Sequence, residues 1–156
     1  MTFTPFVKEY GKTTKAAIDK FEASVGMVLP IGYRKFLLKH NGGVFEEANM
    51  MVPQVGEEVS FEVFNGLGLM TQLDVASHYE SLKAHLPEQT IPIGRDPGGN
   101  PFLIDLSRDD EPGSVYYWDI HRMLNKKTRK AIAYQLTKSF DDFLASLPMK
   151  GSASKG

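Results

Sequence analysis

The sequence predicts an α+β fold, a single domain in which helices bracket a mainly antiparallel sheet, and three observations predict it. Apolar residues recur at helical spacing towards both ends of the chain, they alternate with period two through its middle, and Gly, Pro and Asp separate the alternating runs. Helices, then clustered strands, then a helix make an α+β domain rather than a regular βαβ array. A chain of 156 residues with 42% hydrophobic content can bury one ordinary core. The expected domain spans 1–148, and the small polar residues of 149–156 form a tail expected to be disordered.

Thr13 or Thr14 can cap a first helix whose stripe is Ile18, Phe21 and Val25, with Gly26 as its stop signal. Pro30 fits the opening turn of a second helix, where a missing N–H costs nothing. Tyr33, Phe36, Leu37 and His40 give it an apolar side, and Asn41-Gly42-Gly43 supplies left-handed residues to end it. Met50 to Val52 and Val59 to Phe64 read as a hairpin turned at Pro53 and Gly56. Asp74 can cap a middle helix with Val75, Tyr79, Leu82 and Leu86 on one face, broken by Pro87.

Thr90 to Gly94 is then a strand, joined through Asp96-Pro97-Gly98-Gly99-Asn100 to Phe102 to Ser107. In that strand Phe102, Ile104 and Leu106 point one way and Leu103, Asp105 and Ser107 the other. Val115 to Ile120 repeats the pattern after a turn at Asp109 to Gly113. Ala131 to Leu136 is Ala-rich, which suits a helix, while its short apolar alternation favours a strand. Ser139 followed by Asp142 is a capping-box variant that starts a last helix with Phe140, Phe143, Leu144 and Leu147 inward, and Pro148 stops it.

Composition excludes several classes. There is no Cys, hence no disulfide, thiolate nucleophile or Cys-based zinc site. No apolar run is long enough for a bilayer, and the start MTFTPFVKEYGKTTK lacks the layout of a secretory signal, so the expected location is cytoplasmic. The net charge of −1 conceals a strong asymmetry: residues 40–120 carry 14 acids against 3 bases, with no Lys or Arg between Lys39 and Lys83. Two arrangements fit. The acids can form a face that attracts a basic partner, or basic helices can pack beside an acidic sheet and neutralise it. The cluster Arg122, Lys126, Lys127, Arg129 and Lys130 lacks interleaved aromatics and a basic surround, so it reads as a solvated segment rather than a nucleic-acid site.

No catalytic signature is present: no Walker A, HExxH, nucleophile elbow or complete GxGxxG, and Gly66-Leu67-Gly68 reads as a loop. His78 and His85 lie about 10 Å apart along a helix, too far to share one metal. Asp74 with His78 is a two-ligand start at most. Asp96, Asp105, Asp109, Asp110, Asp119 and His121 are the residues that would have to converge for a metal-assisted hydrolase, although Asp beside Pro or Gly ordinarily stabilises turns. Trp118 with Tyr116 and Tyr117 offers recognition area or core, and core is the commoner use of such a Trp. No catalytic residue, metal or cofactor is expected.

Four blocks, in order, carry a family resemblance: Leu29, Pro30, Tyr33, Phe36, Leu37, Asn41, Gly42 and Gly43; Ile91, Pro92, Gly94, Asp96, Gly98, Gly99 and Asn100; Val115, Tyr116, Trp118 and Asp119; and Ser139, Phe140, Phe143, Leu144 and Leu147. In these residues the chain resembles the SUKH superfamily, which unites bacterial toxin-immunity proteins with fungal cell-wall assembly regulators. Ile120 between Asp119 and His121 departs from a family form that often has His directly after Asp. The resemblance implies a curved sheet flanked by helices and a non-enzymatic cytoplasmic protein that binds and neutralises a cognate toxin, frequently a nuclease. The alternative is a regulatory scaffold with an endogenous protein partner. A nuclease presents a cationic groove, so the expected partner is a basic protein rather than nucleic acid or membrane. Glu46, Glu47, Glu57, Glu58, Asp109, Asp110 and Glu111 are the expected contacts.

Overall fold

A computed structural model describes residues 6–52, 57–87, 89–107, 113–119 and 133–147. These residues form an α+β domain with one antiparallel sheet of seven strands in chain order and four α-helices. Each helix starts and stops for a visible local reason. The first, α1 (Lys15–Val25), begins where Thr14 accepts from the Ala17 amide at 3.1 Å and ends at Gly26 with φ +71°. Its buried residues are Ile18 and Phe21.

The second helix, α2 (Ile31–Lys39), buries Tyr33, Phe36 and Leu37, and Pro30 sits one position before it. Its exit differs from the sequence reading. Only Gly42 is left-handed, at φ +87°, while His40 is extended and Gly43 already belongs to a strand. Asn41 is instead a clamp: its Nδ2 donates to the Leu67 carbonyl at 2.8 Å and its Oδ1 accepts from the Leu67 amide at 2.7 Å.

Strand β1 (Phe6–Glu9), which its sequence did not announce, pairs with β2 (Gly43–Val52). Four residues are too few to show an alternation. β2 also begins well before Met50, because the partner strand β3 (Glu57–Phe64) draws Gly43 and Val44 into register with Phe64 and Val63. The register then shifts: residues 45–47 of β2 face the single residue Glu62 before pairing resumes at Ala48 and Phe61. This bulge breaks the period-two signal around Glu46 and Glu47.

A 3₁₀ turn at Thr71–Leu73 leads to α3 (Val75–Leu82), whose N-cap Asp74 accepts from the Ser77 amide at 3.0 Å. Regular helix stops at Leu82, four residues before Leu86, and a looser turn continues it with Leu86 N–H on the Leu82 carbonyl. The chain returns as β4 (Thr90–Arg95), β5 (Pro101–Asp105) and β6 (Val115–Trp118). Next comes β7 (Ala133–Thr137), so the described residues 133–136 of the ambiguous stretch are strand, while Ala131 and Ile132 lie outside the described residues. The last helix, α4 (Phe140–Ser146), starts where Ser139 Oγ accepts from the Asp142 amide at 2.9 Å. β7 also approaches β2, so the sheet curls around its contents.

Those contents are mostly aromatic. Phe61 and Phe64 from β3, Phe102 from β5 and Phe140 and Phe143 from α4 are each 0% exposed. Phe61 lies 4.5 Å from Phe64, 4.8 Å from Phe102 and 5.5 Å from Phe143 between ring centroids, mostly edge to face. Burial of each such ring is worth about 1.5–3 kcal/mol, and edge-to-face contact adds to it. The opposite face of the sheet centre is buried as well. Leu103 and Trp118 are both 0% exposed, so the side that Leu103 shares with Asp105 is not a solvated one. Trp118 belongs to the core.

The turn between β4 and β5 is built around Asp96. Its carboxylate accepts from the Asn100 amide at 2.8 Å, from Asn100 Nδ2 at 3.2 Å and from the Tyr117 hydroxyl at 2.9 Å. Gly94 and Gly66 are required by close approach rather than by φ. A Cβ on Gly94 would collide with the Val63 carbonyl and the Phe61 ring, and one on Gly66 with the Asn41 carbonyl.

Three outcomes follow from this packing. Gly66→Ala should lower the stability by about 2 kcal/mol or more, read by chemical denaturation, because backbone rather than a flexible side chain stands in the way. Tyr33→Phe should raise it by about 1 kcal/mol, since the Tyr33 hydroxyl is buried without a hydrogen-bond partner among the described residues. Burial also holds the Tyr33 and Tyr117 phenols neutral well above their ordinary range, Tyr117 with a further push from Asp96. Their contribution to stability is complete below the unfolded phenol value near pH 10 and falls as the pH rises beyond it. Ultraviolet titration should therefore show Tyr33 and Tyr117 resisting ionisation until the protein unfolds.

Candidate functional site

Asp96, Asp105, Asp74 and His78, four of the residues considered for a catalytic or metal centre, each make structural hydrogen bonds. Asp96 is spent on the β4–β5 turn, and Asp105 accepts from the Ser107 amide at 2.9 Å. Asp74 accepts from the Gly68 amide at 2.9 Å as well as from Ser77, while His78 Nε2 lies 2.7 Å from the Gln72 carbonyl. Among the described residues no three His, Asp or Glu side chains gather as a metal would need. Asp109, Asp110 and His121 lie outside the described residues. A depression of about 440 Å³ beside Leu103 and Tyr116 is also lined by Thr90, Asp105 and Ser107; there the Thr90 hydroxyl donates to the Pro87 carbonyl and the Ser107 main-chain amide donates to Asp105.

Several acids outside the hairpin also have partners. Arg34 bridges Asp19 at 2.9 Å and Glu22 at 2.7 Å, and the guanidinium with Lys15 holds the Asp19 carboxyl below its usual range. Glu22 further accepts from the Leu29 amide at 2.7 Å. Glu80 pairs with Lys83 at 2.9 Å, and Glu9 on β1 lies 2.7 Å from His40 Nδ1. Neutralisation is thus local, within and between helices and across the β1 edge. Among the described residues it does not extend to β3.

On β3 alternation sorts the side chains into two sets. Val59 and Phe61 pack towards the core, so Glu58, Ser60 and Glu62 occupy the opposite face. Glu58 is exposed and Glu62 half-buried, and neither has an ion-pair partner among the described residues. Ser60 between them donates to Asn49 of β2 at 2.6 Å, which fixes the register of the two strands. Arg95, opposite Val63, is the nearest base in the ladder, yet its guanidinium donates to the Gln72 carbonyl at 2.9 Å.

Four of the seven expected contact residues therefore fall on one hairpin. Glu58 is on the acidic face of β3; Glu57 opens β3 opposite Val52; Glu46 and Glu47 lie in the β2 bulge opposite Glu62. Asp109, Asp110 and Glu111 lie outside the described residues. Glu62 was missed by the sequence reading, which treated it as an ordinary strand position. The signal was there: Glu58 and Glu62 are separated by two strand periods and share a face.

Comparison with known proteins gives the chain its context. The SMI1 / KNR4 family (SUKH-1) matches residues 12–146, a span that runs from the residues just before α1 through the last residue of α4. The chain is also 25% identical over 151 residues to the SPbeta prophage-derived uncharacterized protein YokK of Bacillus subtilis (strain 168), covering 86% of this chain and 74% of that one. The matched span holds the Asn41 clamp, the Asp96 turn and the helix of Phe140 and Phe143, and the chain belongs to the SMI1 / KNR4 family (SUKH-1).

Proposed function

We propose that this chain is a non-enzymatic immunity protein that binds and neutralises a cognate bacterial toxin, with the acidic β2–β3 hairpin meeting a basic partner. Family membership supports the class, since SUKH proteins include toxin-immunity proteins, and similarity to a prophage-derived protein fits a setting in which such pairs travel together. The observation that carries the electrostatic part is the pair Glu58 and Glu62, which share a face in a stretch with no Lys or Arg from 40 to 82.

Such a face acts mainly on encounter. Aligned carboxylates raise the local concentration of a cationic partner and orient it, whereas tightness comes from what is buried afterwards. A nuclease is a natural target, because a protein that holds polyphosphate must display positive charge. Neutralisation then needs occupancy only, one chain per toxin, with no turnover.

Affinity capture from native cells should recover a basic protein that is toxic when expressed alone and harmless when this chain is supplied in equal amount. A bound protein without toxicity would favour the regulatory scaffold instead. With the captured partner, Glu58→Gln with Glu62→Gln should lower the association rate roughly three- to tenfold at low salt and flatten its salt dependence. Stopped-flow rates unchanged by the double substitution would overturn the electrostatic reading.

A further inference from the structure

Strand register gathers an unusual set of side chains beside the depression of about 440 Å³. Leu103 pairs with Tyr116 across β5 and β6, Thr90 pairs with Asp105 across β4 and β5, and period two puts Asp105 on the side of Leu103. These side chains therefore share the face of the sheet turned away from Phe102 and Ile104, which belong to the aromatic core. Leu103 is 0% exposed and gives the depression an apolar wall, while Asp105 and Tyr116 are half-buried.

The rim is held in place. The Leu106 amide donates to the Gln89 carbonyl at 2.7 Å, and Gln89, which lines the opening, adopts φ +57°. A residue with a side chain keeps that left-handed conformation only where its surroundings enforce it.

The charge in the depression is uncompensated. Asp105 Oδ1 accepts from the Ser107 amide, and Oδ2 has neither a hydrogen bond nor an ion pair among the described residues. No Lys, Arg or His stands among the described residues that line it. Burial, and then the Asp105 carboxylate, push the Tyr116 phenol above its ordinary range, which places the ring within the field of that carboxylate. A carboxylate with a spare oxygen, a neighbouring aromatic ring and an apolar wall suit a guanidinium on an aliphatic stem. An ammonium suits them less, because it is more strongly hydrated and cannot stack.

We infer that the depression beside Asp105 and Tyr116 is an anchor pocket for one arginine side chain of the partner protein, with the guanidinium on the Asp105 carboxylate and the Tyr116 ring and its methylenes against Leu103. The inference rests on the proposed binding of a basic protein and adds to it a fixed point of attachment on β5 and β6, apart from Glu58 and Glu62 on β3. The tasks divide accordingly. Exposed carboxylates of the hairpin act on encounter, whereas a half-buried ion pair formed after docking acts on the lifetime of the complex.

The pocket is tested on the full chain alone with N-acetyl-arginine amide. Titration followed by NMR should saturate in the millimolar range and shift the Leu103 methyl and Tyr116 ring resonances together. N-acetyl-citrulline amide, which keeps the shape and loses the charge, should bind at least about tenfold more weakly. Asp105→Asn should also cost about tenfold, since its side-chain oxygen can still accept from Ser107 while the charge is gone. Tyr116→Leu should cost about threefold, with folding checked by circular dichroism; Asp105→Asn decides the matter if that variant does not fold. Glu80→Gln, which removes a charge from α3, should change nothing.

Equal binding of the arginine and citrulline amides, or shifts that bypass Leu103 and Tyr116, overturns the inference. With the captured partner, Asp105→Asn should speed dissociation about tenfold and leave association nearly unchanged. Unchanged dissociation overturns the anchor, while Glu58→Gln with Glu62→Gln decides the hairpin separately through association. Capture of no basic protein overturns the functional reading, and with it the assignment of the arginine to a partner.

Discussion

The structure depends on the clamp between Asn41 and Leu67. Two short hydrogen bonds from one amide side chain fix a main-chain position 26 residues away, and Gly66 passes so close to the Asn41 carbonyl that no side chain fits. This joint ties the exit of α2 to the exit of β3. The Gly66 amide and carbonyl then bond to Leu73 and Val75, and the Asn65 amide reaches Ile93, so the starts of α3 and β4 are referred to the same point. Asn41 is 2% exposed, where a lost partner leaves a buried polar group unpaired. A helix, a hairpin and a sheet crossing are therefore held at one node, and the hairpin projects from it with its register set.

The distribution of acids divides by task. Asp74 caps a helix and ties a loop, Asp96 builds a turn, and Asp19, Glu22 and Glu80 meet cations on their own or the next helix. Each of these is accounted for by folding. Among the described residues Glu58 and Glu62 are not: they cap no helix, close no turn and lie on the side of β3 away from the core. Exposed charge without a structural task is where partner recognition most economically resides, because its desolvation is not already committed to the fold.

The aromatic core explains why one hairpin can remain so polar. Phe36, Phe64 and Phe140 interlock with centroids 4.5 to 6.3 Å apart, and Phe61 and Phe143 extend the cluster to β5. Most of the described burial is thus concentrated where α2, α4 and the sheet centre meet, and among the described side chains the distal part of β2 and β3 contributes only Val59 to it.

Local chemistry made much of this legible in the residues themselves. Thr14, Gly26, Asp74 and Ser139 marked the helix ends that the structure uses, and alternation through Thr90 to Trp118 identified three strands. The four ordered blocks were enough to indicate the family. Where partners decide, the sequence was silent or misleading. β1 is a strand because β2 accepts it, β2 starts early because β3 draws it into register, and Asn41 clamps a distant loop instead of ending its helix. Leu103 and Trp118 are buried on a face that period two alone cannot label wet or dry. Capping, turns and periodicity act over a few residues and are written in composition; register, close approach and the sorting of bound from unbound carboxylates are set by groups far apart in the chain. Only the assembled sheet decides that the shared face of Glu58 and Glu62 is the one turned away from the core.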